Sequence, residues 1–272
     1  MNAYLEILRP TVCLMTVLAL VIGGIVSNSL LFPQLVLAIL AGFLITGGGN
    51  IINDYFDVKT DRINAPKRPI PSGRFPFKFA LPYFAIVNIL GLVFAFFINT
   101  NFLIIALLNF SVSTIYSWKL KTTPLIGNIA VSYLGAVSFF AAGLITMSFS
   151  KTLAHPIFIL AVIGFFGTLA REILKDIRDV KGDKVISAKT LPIITSPGKA
   201  RLVANICLAI GIVLLFTPYV WGMFKIAYLV ALMPAVLVCL YTYTKPPEKA
   251  EKLVKIAIFL VLLAFIIGSL VG

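Results

Sequence analysis

Charged residues make up only 12% of this 272-residue chain, against 60% hydrophobic residues and a mean hydropathy of +1.04. So little charge excludes a soluble domain, because a water-facing surface needs about a quarter of its residues ionised. Histidine is almost missing. The one present, His155, falls on the predicted outer side, which removes histidine-based acid–base chemistry from the inner face. Cysteine is scarce too: Cys13, Cys207 and Cys239 lie far apart, each in an apolar run, with no disulfide or CxxC spacing. Acids number ten against 23 lysines and arginines, a net charge of +13.

What is abundant is apolar sequence. Nine runs of spanning length are centred near residues 10–29, 34–53, 80–98, 102–118, 125–147, 155–174, 202–219, 224–243 and 254–271. They predict an all-α integral membrane protein, with residues 1–272 as one domain: a single bundle of nine transmembrane helices around a central cavity open to lipid. With the N-terminus inside, every lysine and arginine except Lys151 and Lys225 falls on the cytoplasmic side, so the positive-inside rule selects this topology. The positive excess is mostly this bias; it favours anionic membrane lipids and implies neither a nucleic-acid nor a protein partner. The first run follows Arg9-Pro10 and is longer than the roughly 7–15 residues of a signal-peptide core, so it reads as a retained span. Residues 3–9 are expected to lie flat in the interface.

The two longest inner connections, 54–79 and 176–200, hold the chemistry. Four spans separate them, as in a chain of two related halves with a ninth helix appended. All six aspartates fall there, as Asp54, Asp57, Asp61 and Asp176, Asp179, Asp183, and both sets repeat the spacing i, i+3, i+7. On a helix that spacing puts three carboxylates on one face. Asn50 and Asn53 extend the first face back into the span. Such a surface suits a hard cation, and magnesium in particular, which takes a few carboxylates, retained waters and substrate phosphate oxygens. Arg171 and Lys175 beside the second triad, and Lys67, Arg68 and Arg74 beyond the first, supply cations for a diphosphate whose charge a metal alone leaves incompletely neutralised. Either triad alone reads equally as a solvated helix end held by ion pairs. Two of identical spacing, absorbing every aspartate, favour a shared metal site. Gly47-Gly48-Gly49 lacks the lysine of a phosphate-binding loop and reads as close helix packing.

Asn53-Asp54-x-x-Asp57-x-x-x-Asp61, followed by Arg68-Pro69-Ile70-Pro71-Ser72-Gly73 and the second Asp176-x-x-Asp179-x-x-x-Asp183, resembles the UbiA superfamily of intramembrane prenyltransferases over nearly the whole chain. Within it, Lys175-Asp176-Ile177-Arg178-Asp179-Val180-x-Gly182-Asp183 with Ala188-Lys189-Thr190-Leu191-Pro192 is most similar to archaeal digeranylgeranylglyceryl phosphate synthases. The resemblance implies magnesium held by Asn53, Asp57, Asp61, Asp176, Asp179 and Asp183. That metal would grip the diphosphate of an isoprenoid donor whose tail lies in a lipid-open tunnel. The implied reaction moves a geranylgeranyl group to the hydroxyl of geranylgeranylglyceryl phosphate, at the cytoplasmic face of the cell membrane, forming the second ether bond of an archaeal lipid.

Diphosphate contacts are then expected from Asn50, Lys67, Arg68, Arg74, Arg171, Lys175 and a lysine after span four. Many members of the family have that lysine four residues beyond a tyrosine; here Lys119 and Lys121 follow Tyr116 at three and five, leaving both open. The resemblance marks Tyr116 as a catalytic candidate. The acceptor's proton could pass to Asp54 or Asp183. The acceptor's own phosphate needs further cations, for which Arg9, Lys121 and Arg178 are available. Two other readings compete: an aromatic, quinone-precursor or tetrapyrrole acceptor, and a transporter whose aspartates bind a coupling cation. Transport sites lie nearer the bilayer midplane than these span ends.

Overall fold

The computed structural model describes residues 2–185 and 188–271, and among them all regular secondary structure is helical. Two positions of the second inner connection, 186 and 187, lie outside the described residues. The main elements are α1 (Pro10–Val26), α2 (Gln34–Phe56), α3 (Ala80–Phe96), α4 (Thr100–Trp118), α5 (Ile126–Gly143), α6 (Ile157–Val185), α7 (Pro197–Leu214), α8 (Ile226–Thr242) and α9 (Pro247–Val271). Seven are long and apolar enough to cross a membrane, α3 when taken with the helical turn Phe77–Phe79 that leads into it; α1 and α8 are apolar but shorter, at 17 residues each. At 1.5 Å per residue those two reach about 25 Å, the lower end of spanning length.

Local chemistry sets the helix ends. Pro10, Pro197 and Pro247 open α1, α7 and α9, where a missing N–H costs nothing. Asn99 caps α4 by accepting from the Phe102 amide at 2.9 Å, and Ser196 caps α7 by accepting from Lys199 at 3.2 Å. Two helices outrun their apolar segments. α6 continues to Val185, because the charged stretch after residue 174 contains no proline to stop it. α9 starts at Pro247 and so takes Glu251 into its first turns.

One expectation is corrected. The first aspartate triad is not carried on an uninterrupted helix: α2 ends at Phe56, Asp57 sits at the joint, and a short helix resumes at Val58–Asn64. The backbone nonetheless keeps helical bonds across it, Asp57 N to Asn53 O at 2.9 Å and Asp61 N to Asp57 O at 2.8 Å. The second triad does lie on one helix, α6.

In lipid, helices associate by close van der Waals fit rather than by escape from water, so small residues matter at the seams. Ala19, Ala38, Ala41, Ala95 and Ala142 are all buried in the main core. α1 lies against α2 and α5; α6 packs among α5, α7 and α9; α8 pairs with α9. The triple glycine does what its composition suggested. A Cβ on Gly48 would sit 2.6 Å from Cγ of Asn88 on α3, one on Gly47 2.9 Å from Leu8, and one on Gly49 3.3 Å from Ser113 on α4. The outer faces present Phe96, Phe97, Val213, Leu237 and Leu270, side chains whose exposure suits acyl chains.

The N-terminal strap is tied down more firmly than an interfacial segment requires. Ile7 and Leu8 are buried with Ile70 and Phe75 of the first inner loop, and Arg74 grips Glu6 with two bonds of 2.5 and 2.8 Å. Gly73, at φ 74°, makes the turn that brings Phe75 back so that its amide donates to Pro69 O at 2.9 Å. This apolar anchor fixes the loop that carries Arg68.

Candidate active site

A cavity of about 1530 Å³ runs into the bundle, larger than the roughly 300–1,000 Å³ of an ordinary small-molecule pocket. Its polar end is lined by Asp57 and Asp61 from the first triad and by Asp176, Asp179 and Asp183 from the second. Deeper, the walls turn apolar, with Leu20, Ile45, Ile105, Phe139, Ile163 and Phe265. Both acidic helix ends therefore border one space. Tyr116, on α4, borders the same cavity.

On the α2 side, Asn50 donates to Leu8 O at 2.8 Å and Asn53 donates to Asp57 at 3.0 Å. Asp57 also accepts from the Lys121 ammonium, and Asp61 accepts from Arg68 at 2.5 Å. Lys121 reaches inward because Leu120–Thr122 folds as a tight helical turn after α4. Lys119 has a different partner: its ammonium lies 3.9 Å from the ring centroid of Trp118, an exposed aromatic. Both lysines border the cavity, but Lys121 is the one paired with a triad carboxylate.

On the α6 side, Asp176 accepts from Asn128 of α5 at 2.8 Å, and Asp183 accepts from Thr190 at 3.2 Å. Arg171 pairs with Glu172 at 2.9 Å and with Glu251 at 3.3 Å, Lys175 with Glu172 at 3.5 Å, and Arg178 with Asp179 at 2.8 Å and with Glu251 at 2.9 Å. Glu172 and Glu251 are both buried, and they were not singled out from the sequence. The signal was weak: Glu251 sits among Lys249, Lys252 and Lys255, where it reads as an ordinary surface acid. Asn128 and Thr190 carried no signal beyond polarity near a span end.

Three expected site residues face elsewhere. Asp54 is not on the cavity wall; it is 1% exposed and held by Arg9 and, at 3.5 Å, by Arg68. Lys67 and Arg74 are also absent from the wall, since Arg74 is spent on Glu6 and on Lys67 O at 2.6 Å. Arg9 does border the cavity. It adopts the left-handed conformation, φ 52°, immediately before Pro10, and its guanidinium turns onto Asp54.

Among the described residues no three carboxylate, imidazole or thiolate side chains cluster as a ready-made cage. The oxygen donors of Asn53, Asp57, Asp176 and Asp183, all on the wall of one cavity, instead fit an ion that completes its shell with water and phosphate, as magnesium does.

Residues 11–263 match the UbiA prenyltransferase family. The chain belongs to that family. It is a multi-pass membrane protein, as the family's other members and its own apolar helices agree. The digeranylgeranylglyceryl phosphate synthase of Methanopyrus kandleri is 40% identical, over 99% of this chain and all of that one. A solved structure described as digeranylgeranylglyceryl phosphate synthase in membranes superposes with a TM-score of 0.81 at 33% identity, covering 98% of this chain and 97% of the other. A UbiA homologue from Archaeoglobus fulgidus, bound to GPP and Mg2+, shares the fold with a TM-score of 0.67 at 21% identity, covering 97% of this chain and 98% of that one.

Proposed function

We propose that this chain is a magnesium-dependent digeranylgeranylglyceryl phosphate synthase, a single domain over residues 1–272 with nine spans and its active site toward the cytoplasm. The reaction moves a geranylgeranyl group from its diphosphate to the free hydroxyl of geranylgeranylglyceryl phosphate. The observation that carries it is the single cavity, acidic and basic at the mouth and apolar below, in a chain alike over its full length to synthases of that name. The apolar depth suits isoprenoid tails entering from lipid.

Asn53, Asp57 and Asp61 with Asp176, Asp179 and Asp183 would hold the metal. The chemistry that magnesium held there would supply is Lewis-acid neutralisation of charge on the departing diphosphate. Lys121, Arg68, Arg171 and Lys175 add donors aimed at the same oxygens, strengthening as the allylic C1–O bond lengthens and negative charge moves onto the leaving group. Tyr116, which borders the cavity, serves as a further donor through its hydroxyl. Asn50, bonded to Leu8 O, orients the strap beside them. Arg9 and Arg178 take the acceptor's phosphate, with Lys121 between donor and acceptor. Of the two candidate bases, Asp183 borders the cavity and Asp54 does not, so the acceptor hydroxyl, as its oxygen attacks C1, would give its proton to the Asp183 oxygen that is not committed to the metal.

Incubating purified protein with geranylgeranyl diphosphate, magnesium and each acceptor in turn tests this. Ether product with geranylgeranylglyceryl phosphate is expected. Product only with an aromatic acceptor refutes the ether-lipid reading, and ion flux in proteoliposomes without any prenyl transfer refutes the enzyme.

A further inference from the structure

Glu251 belongs to α9, yet its carboxylate spans two turns of α6. Its Oε1 accepts from Arg171 Nε at 3.3 Å and its Oε2 from Arg178 Nη1 at 2.9 Å. The residue is only 7% exposed. Both arginines border the cavity, while Glu251 itself does not. A buried carboxylate with each oxygen committed to a different guanidinium holds long, flexible side chains in one geometry, which free arginines would reach only at an entropic cost. It also shares Arg178 with Asp179 and Arg171 with Glu172, so neither of those carboxylates is the sole partner of its arginine.

We propose that Glu251 is a positioning residue, which presents Arg171 and Arg178 to the phosphates of the substrates without touching them. The proposal rests on the reading of this cavity as a diphosphate site. It makes a prediction opposite in sign to simple electrostatics. Removing a negative charge near an anion site should tighten anion binding through the field alone, whereas losing the clamp should weaken it.

The probe is inorganic pyrophosphate, titrated calorimetrically into purified full-length protein with magnesium present, so that the readout stands apart from prenyl transfer and from the acceptor's identity. Glu251→Gln is expected to weaken binding about tenfold, and Glu251→Asp, which keeps the charge but loses reach, by an intermediate factor. Glu248→Gln, the same charge change at an exposed site on the same helix, leaves it unchanged. In an Arg171→Gln, Arg178→Gln background, Glu251→Gln costs nothing further, because its targets are gone. In turnover, Glu251→Gln raises KM for the donor and also lowers kcat, because Arg171 holds the departing diphosphate more strongly in the transition state. Tighter or unchanged pyrophosphate binding by Glu251→Gln overturns the proposal, as does an equal loss in the parent and the doubly substituted background. Glu251→Asp decides the matter if the glutamine variant does not fold. Failure of the proposed reaction would show separately, as absence of ether product from a parent protein that still binds pyrophosphate.

Discussion

Replacing Lys121 with methionine separates two lysines that the sequence leaves equivalent. Lys121 pairs with Asp57, and the side chains are 35% and 15% exposed, so the pair is partly screened by water. A charge-assisted hydrogen bond contributes about 1.5–3 kcal/mol when shielded, and the exposure argues for the lower half of that range, a fall in kcat/KM of about 13- to 45-fold. Lys119 instead rests on the Trp118 ring, a contact of about 0.5–1 kcal/mol at an exposed site, which supports the helix end and not the transfer step. Lys119→Met should therefore change kcat/KM less than about threefold. Initial rates of labelled geranylgeranyl transfer, with thermal melts to confirm that both variants fold, decide between them. Equal losses, or a larger one at Lys119, would refute the assignment of Lys121 to the diphosphate.

Asp57→Ala and Asp179→Ala should each lower turnover by on the order of a hundredfold or more, with the elution profile of folded protein retained; residual activity within tenfold of the parent would count against the metal assignment. Chelation should abolish transfer and added magnesium should restore it. Gly48→Ala should destabilise the protein by about 1–3 kcal/mol, since the new methyl meets Asn88, and a second change, Asn88→Ala, should recover much of the lost melting temperature. Arg74 holds the Glu6 carboxyl below its ordinary value by hydrogen bonding and charge. Because the folded value is the lower one, the tether is complete above the usual glutamate range and is lost as pH falls through the depressed value. Protease nicking of residues 2–9 should then rise only in acid, and Glu6→Gln should remove that dependence.

Much of this protein was legible along the chain. Among the described residues, apolar run length locates the seven helices long enough to span and the two shorter apolar ones, because a bilayer forces every backbone amide in a span to pair within its own segment. The aspartate spacing and the Arg68 loop led to the family, and the glycine run to a close seam. What the sequence could not decide is which charge meets which. Asp54 reads like its neighbours yet turns to Arg9, and Arg74 reads like Arg68 yet turns to Glu6. Glu251 looks like a surface acid until α9 is laid against α6. Helix formation is a local balance that a run of residues can specify. Pairing between side chains up to 80 positions apart depends on the angle and depth at which helices dock, so the tertiary structure alone assigns each carboxylate its partner.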